Sequence, residues 1–431
     1  MRVLYIAFYF PPTTGGGVER TLRFCEHLPA LGIDVEVLVP DDARWLAADP
    51  ASLARIPAGL AVHRCRYRGP AIRERPGDRL DRVRGVHRLL LRVALAPRRL
   101  LLPDANVVWL IDLLPAAARL LRSGRFDAIV TTAPPHAVSV AGAILARRSG
   151  LPWVADWRDA WLENPDLALE RRAVRWKRRA NGVIARWSAH RMTSAACVND
   201  AIAAEVGRLA PLVPTSVVPN GAEVERIVTI VRHPSARLTL TYTGYFFGGR
   251  GPDVLLEATS RLLEDRPEMA DRLRLRFLGG LPAEAARRSA RPPLSTVVEV
   301  LPTQPHEAVL QAQRDADVLV LFMQDGAGSE AVIPAKTWEY LASGRPILAI
   351  VPARGAAARL LLALGVGEVV EVGDLAGARV ALDGIVARWE AGTLDVPTLS
   401  EEVLGGFSRR GRAEEMAAVI RGAIERSTTT V

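Results

Sequence analysis

The sequence predicts an α/β protein of two Rossmann-like domains facing across a cleft, with a last helix that returns to the first domain. Three features carry that reading. The chain has 431 residues, too many for one core and enough for two domains of about 200 residues each. Short apolar strands alternate with amphipathic helices in two separate series, the pattern of parallel sheets with helical crossovers. The first series opens as strand, glycine loop, helix, strand, a βαβ unit that places ligands at the carboxyl ends of its strands.

In chain order, the opening strand runs from Arg2 to Phe8 and meets the loop Pro11-Pro12-Thr13-Thr14-Gly15-Gly16-Gly17. Leu22, Cys25, Leu28 and Leu31 then recur at helical spacing, and Gly32 closes the helix. Strands are expected at Asp34–Val39, Ala128–Thr131, Trp153–Ala155, Met192–Ala195 and Thr215–Val218. A second series follows Arg232-His233-Pro234, with strands at Leu238–Thr243, Leu273–Leu278, Val297–Leu301, Val318–Phe322, Ile347–Ile350 and Val369–Val372. The linker is expected around 224–236, which gives domains of 1–228 and 229–400. Residues 401–431 hold the closing helix, roughly Arg409 to Ile424.

Composition narrows the setting. Cys25, Cys65 and Cys197 are scattered, with no CxxC pair and no metal-ligand spacing, which suits a reducing compartment. The opening apolar run ends at Pro11-Pro12, too soon for a signal peptide, and no run reaches the roughly 20 residues of a membrane span. A cytoplasmic protein, soluble or at most peripheral to a membrane, is expected. The net charge is +9, yet the only lysines are Lys177 and Lys336. Arginine, alanine, glycine and proline all come from GC-rich codons, so the excess is weak ground for a phosphate track and no nucleic-acid partner is expected. The segment 64–102 is dense in arginine (Arg66, Arg68, Arg73, Arg75) interleaved with Leu89, Leu90 and Leu91. It reads either as a solvated helix or loop, or as a cationic surface for anionic lipid or an anionic acceptor.

Three stretches carry chemistry. Gly15, Gly16 and Gly17 let backbone N–H groups approach an anion at a helix start, although neither the dinucleotide GxGxxG nor a Walker loop is present. Asp156, Arg158 and Asp159 close an apolar strand, and His136 follows another after Pro134-Pro135, so all are expected at one ligand-facing edge. An ion pair of Arg158 with Asp156 or Asp159 that merely orders the loop is the competing reading. Lys336 and Glu339 lie three apart near the start of a helix after Pro334, hence on one face. A carboxylate there can accept both hydroxyls of a ribose while a lysine holds a diphosphate. Asp315 and Asp317 form a DxD, but they join a helix to a strand, and no metal site is expected there.

Taken together, Pro11-Pro12 with the glycine loop, Phe126-Asp127-Ala128-Ile129, Trp153 to Trp161, Val218-Pro219-Asn220-Gly221, Thr243-Gly244 through Arg250-Gly251, and the helix with Lys336 and Glu339 resemble glycosyltransferase family 4. These are retaining enzymes of the GT-B fold, and the motifs quoted resemble a bacterial subgroup of them. The resemblance spans nearly the whole chain. It implies that Glu339 holds the donor ribose and that Arg250 contacts the pyrophosphate. It also implies that Gly16 approaches phosphate or acceptor, and that the strand end at Thr303 receives the base. The first acid of the family's paired-glutamate pattern would fall at Ala331, with Glu330 one step away. The arginine usual after Gly244 is Tyr245 here, and the histidine usual after the Trp153 strand is replaced by Arg158-Asp159.

The expected site therefore comprises Lys336, Arg250, Asp156 and Asp159 for catalysis. Glu339, Gly244, Tyr245, Thr303 and Glu330 join them for the donor. Gly15, Gly16, Gly17, His136 and Arg158 serve the phosphate or acceptor side. No metal or other cofactor is expected. The resemblance implies retaining transfer from a UDP- or GDP-sugar, with closure of the domains excluding water, to a cell-envelope, lipid-linked or small-molecule acceptor. The alternatives are a GT-B protein coupling a non-sugar and a non-catalytic binding protein that uses the basic surface.

Overall fold

The computed structural model describes residues 1–13, 16–42, 50–69, 101–162, 172–246, 251–326, 328–395 and 398–429. Gly15, Arg250 and most of the arginine-rich 64–102 segment lie outside them.

The chain divides into two compact units, Met1–Asn220 with Arg409–Val431, and Gly221–Ser408. In the first unit the strands are β1 (Arg2–Ala7), β2 (Asp34–Pro40), β3 (Ala61–Cys65), β4 (Ala128–Ala133), β5 (Trp153–Trp157), β6 (Ser194–Cys197) and β7 (Thr215–Val217). They form one sheet in the order β3-β2-β1-β4-β5-β6-β7, with every neighbour parallel. Both faces of a parallel sheet are covered by helices, so its central strands are buried along their length. Accordingly every residue of β4 and β5 is buried, Asp156 included.

In the second unit β8 (Leu238–Thr243), β9 (Leu273–Leu278), β10 (Val298–Leu301), β11 (Val318–Phe322), β12 (Ile347–Ile350) and β13 (Gly367–Val370) pair in the order β10-β9-β8-β11-β12-β13. These pairs too are all parallel. The strand order reverses direction once in each sheet, between β1 and β4 and between β8 and β11. Those switch points open a crevice at the carboxyl ends of the strands.

Three expectations need correction. The strand β3 was not expected, because Ala61-Val62-His63-Arg64-Cys65 carries charge at an exposed sheet edge and has no apolar run. Met192 belongs to the turn after a helix, its N–H bonded to Ala189 O at 3.0 Å, so β6 starts two residues later than Met192. The unit boundaries fall at 220/221 and 408/409, not at 228/229 and 400/401. Packing sets them: Ala222 N–H donates to Phe407 O at 3.0 Å and Ala222 pairs with Ser408 as a short parallel bridge. Val224 and Ile227 are buried in one cluster with Leu310, Leu341 and Phe407. The helix Arg409–Thr429 belongs to the first unit, where Met416, Ala417, Ile420 and Ala423 are fully buried against Val3, Tyr5, Val130 and Val154.

Candidate functional site

In the second unit the carboxyl end of β8 is a hub. The helix Lys336–Ala342 presents three side chains to it. Lys336 Nζ donates to the Thr243 carbonyl at 2.5 Å and lies 3.8 Å from the centroid of the Tyr242 ring, a cation–π contact. Tyr340 Oη accepts from Thr243 N–H at 3.0 Å, and burial pushes its phenol above the ordinary tyrosine range. Glu339 is reached through Gln313, whose Nε2 lies 3.2 Å from Glu339 Oε2 and 3.1 Å from Thr243 Oγ1. Gly244 has φ +110°, and a Cβ there would sit 2.9 Å from Lys336 Nζ. Glycine thus meets both the left-handed backbone and the approach of the ammonium.

Two more predicted donor residues meet each other: Tyr245 Oη and Thr303 Oγ1 are 2.5 Å apart, joining the ends of β8 and β10. Glu330 is exposed in the turn Ser329–Ala331. Its backbone packs on Gly355, where a Cβ would be 3.3 Å from Glu330 O. Asp315 and Asp317 are occupied by protein groups. Asp315 Oδ1 accepts from His233 N–H at 2.7 Å and Gln311 Nε2 at 2.8 Å, while Asp317 accepts from Thr239 N–H at 2.9 Å and pairs with Arg232. Both sit at the amino end of β11, opposite the hub.

In the first unit the switch point gathers Gly16, Gly17, His136 and Arg158. Gly16 and Gly17 begin the helix Gly16–His27. A Cβ on Gly17 would lie 2.0 Å from the Arg158 guanidinium, so glycine here makes room for an arginine. Arg158 Nη2 donates to Pro134 O at 2.9 Å, and its guanidinium carbon lies 6.0 Å from the Tyr9 ring centroid. Arg158 thus bonds to neither Asp156 nor Asp159 in the contacts described, and Asp159 is exposed beside it. His136 stacks on Trp161 at 4.5 Å with the planes 11° apart. Glu205 Oε1 holds that loop by accepting from Trp161 N–H at 3.1 Å and Leu162 N–H at 2.8 Å. Polar atoms of His136 (Nδ1), Trp157 (Nε1), Arg158 (Nε) and Trp161 (Nε1) are buried without a hydrogen-bond partner among the described residues.

Asp156 is the clear correction. It is wholly buried and Arg20 grips it through two bonds, Nη2 to Oδ1 at 2.7 Å and Nε to Oδ2 at 3.1 Å. Thr132 Oγ1 donates to the same Oδ2 at 2.8 Å. A fully desolvated carboxylate with these partners braces the helix Gly16–His27 against β5 and is not presented to a ligand. Sequence reasoning passed over Gln313 and gave Arg20 and Thr243 no role of their own. The available signal was polarity at apolar positions, since Gln313 is fully buried between Leu310 and Asp317.

Burial, and then the nearby Arg158 charge, push the His136 imidazole from 6.5 down to about 3, against a hydrogen bond with the Ala160 backbone. In the unfolded chain the ring protonates below about 6.5; in the folded protein it stays neutral to about pH 3. Between those values the unfolded state binds the extra proton. Stability is therefore full above pH 6.5 and falls on acidification, by up to about 1.4 kcal/mol per pH unit for this group. His136→Phe, which keeps the stacking, should flatten the dependence of the urea midpoint on pH between 6.5 and 4.5. An unchanged slope would show that the ring is not held neutral.

Comparison with known proteins follows the same geometry. Residues 15–221 match the family described as glycosyl transferase 4-like domain. Over 235 residues the chain is 27% identical to D-inositol 3-phosphate glycosyltransferase of Geodermatophilus obscurus. That match takes in 49% of this chain and 50% of the relative, so it spans about half the length of the curated relative. Anabaena HepE in complex with UDP superposes with a TM-score of 0.62 at 13% identity, over 98% of this chain and 100% of that one. Sucrose-phosphate synthase from Thermosynechococcus elongatus gives 0.60 at 15% identity, over 100% and 99%. At such identities the likeness to the two solved structures is one of fold. With its two parallel sheets the chain has the GT-B fold, and just under half of it, residues 15–221, matches the glycosyl transferase 4-like domain.

Proposed function

We propose that the protein is a retaining, metal-independent glycosyltransferase that takes a sugar from a UDP- or GDP-sugar and passes it to a hydroxyl of an anionic acceptor. The observation that carries this reading is the hub at Thr243, where one short helix presents an ammonium (Lys336) and a carboxylate (Glu339) beside the β8 end. Lys336 faces the diphosphate and Glu339 takes the ribose hydroxyls, while the Tyr245–Thr303 edge receives the base. Arg250, a residue outside the described ones, supplies a further cation on the family resemblance.

In the proposed reaction the bond from the anomeric carbon to the diphosphate oxygen breaks and its electron pair stays on the diphosphate. The acceptor hydroxyl oxygen bonds to the same face of that carbon, and its proton passes to the departing diphosphate. No covalent enzyme intermediate forms. Lys336 stabilises the charge that grows on the leaving group. On the acceptor side, Arg158 beside Gly17 is the cation for an anionic group. The curated relative named for D-inositol 3-phosphate supports an acceptor of that kind, as a small molecule or lipid-linked. Three buried free cysteines support a cytoplasmic setting. Among the described residues no helix is long and apolar enough to cross a membrane, and any peripheral contact through 64–102 lies largely outside them.

Glu339→Gln tests the core of this reading. A hydrogen bond to a charged group contributes about 1.5–3 kcal/mol, so affinity for the preferred nucleotide should fall about 10- to 100-fold in a calorimetric titration with UDP and GDP, with the melting temperature kept. Unchanged affinity would remove Glu339 from the site. Turnover should also survive excess EDTA; loss of activity restored by Mn²⁺ or Mg²⁺ would overturn metal independence.

A further inference from the structure

We infer that Gln313 is a positioning residue that sets the Glu339 carboxylate for the ribose, an inference that rests on Glu339 being the ribose-holding group. Gln313 lies on the helix His306–Asp315 and is fully buried. Its Nε2 sits between two acceptors, Thr243 Oγ1 at 3.1 Å and Glu339 Oε2 at 3.2 Å. A carboxylate accepts and cannot donate, so the amide must turn its nitrogen, not its oxygen, towards Glu339. Both amide hydrogens are then committed, one to each partner. The amide oxygen is left buried with no partner among the described residues, an arrangement that costs stability and needs a reason.

Function supplies that reason. A glutamate on a helix face has three rotatable bonds, and a bidentate grip on two ribose hydroxyls works only in a narrow set of its orientations. Gln313 fixes one carboxylate oxygen from behind. Thr243 makes the fixing rigid, because its backbone N–H and hydroxyl are also tied to Tyr340 Oη, at 3.0 and 3.3 Å. Its carbonyl accepts from Lys336 at 2.5 Å. One residue of β8 thus sets the position of both the carboxylate and the ammonium. A leucine at 313 would fill about the same volume and remove the bond to Glu339 Oε2.

The test compares UDP and GDP with their 2′-deoxy counterparts by calorimetry on the full chain, for wild type, Gln313→Leu, Gln313→Glu and Glu339→Gln. Wild type should prefer the ribonucleotide. Gln313→Leu should lose about tenfold in ribonucleotide affinity and little in deoxyribonucleotide affinity, so that the preference shrinks. A residue that only supports the fold would weaken both nucleotides alike. Gln313→Glu guards against a leucine variant that does not fold. Its new carboxyl faces Glu339 and repels it when both are ionised, but donates to it when one proton is shared. Ribonucleotide affinity of this variant should therefore recover several-fold from pH 8 to pH 6, while wild type stays level. If Glu339→Gln loses the preference and both Gln313 variants keep it at all pH values, the inference is overturned and the role of Glu339 stands. If Glu339→Gln also keeps it, the ribose role and the inference fall together.

Discussion

Lys336→Met is expected to lower kcat by about 10²–10³ while weakening donor binding far less, the loss typical of removing one preorganised group that stabilises developing charge. Negative charge on a diphosphate grows as the glycosidic bond lengthens, so a cation beside it acts most strongly in the transition state. The structure shows how that cation is preorganised. Its ammonium is held at 2.5 Å by the Thr243 carbonyl and lies over the Tyr242 ring, in a space that glycine at 244 leaves open. A planar guanidinium is broader than an ammonium and does not fit end-on between a carbonyl and a ring face. Lys336→Arg should therefore rescue only partly. The measurement is single-turnover kinetics at saturating donor, with the donor Kd taken separately. Were Lys336 merely a strut for the β8 loop, the variant would melt earlier yet turn over normally per folded molecule, and the leaving-group role would be lost.

Much of the fold was legible because buried parallel strands leave apolar runs, unbroken in β11 and β12 and alternating in β8 and β9. β8, β9, β11 and β12 were each placed correctly to the residue by Leu238–Thr243, Leu273–Leu278, Val318–Phe322 and Ile347–Ile350. The edge strand β3 has no such run and was invisible. The boundary at Asn220 was equally hidden, since nothing in the composition of 221–228 tells which core Val224 and Ile227 will enter. The Lys336–Glu339 pair could be read because its spacing is local. What holds that pair in place could not, because Thr243 is 93 residues from Lys336 and Gln313 is 26 residues from Glu339. Asp156 was misread for the same reason. A carboxylate at a strand end looks alike in sequence whether it faces a ligand or a buried arginine 136 residues away.

Breaking that buried pair should produce the largest change in stability of any single substitution considered. The side chains of Arg20 and Asp156 are 3% and 0% exposed. Burial by itself would lower the Arg20 pKa, but the Asp156 carboxylate beside it more than offsets this and raises it. Removing one member strands the other charge out of water, which typically costs about 3–5 kcal/mol, a large share of the roughly 5–15 kcal/mol that keeps a domain folded. Asp156→Ala should thus lower the urea midpoint steeply. Arg20→Met should do at least as much, because Arg20 Nη1 also donates to Pro219 O at 2.9 Å and that bond goes too. The double variant should be less destabilised than the sum of the two, since neither charge is then left alone. This pattern separates a brace from a catalytic acid or base. If Asp156 instead worked on the substrate, Asp156→Ala would abolish turnover at an unchanged midpoint, and the two substitutions would add in stability without coupling.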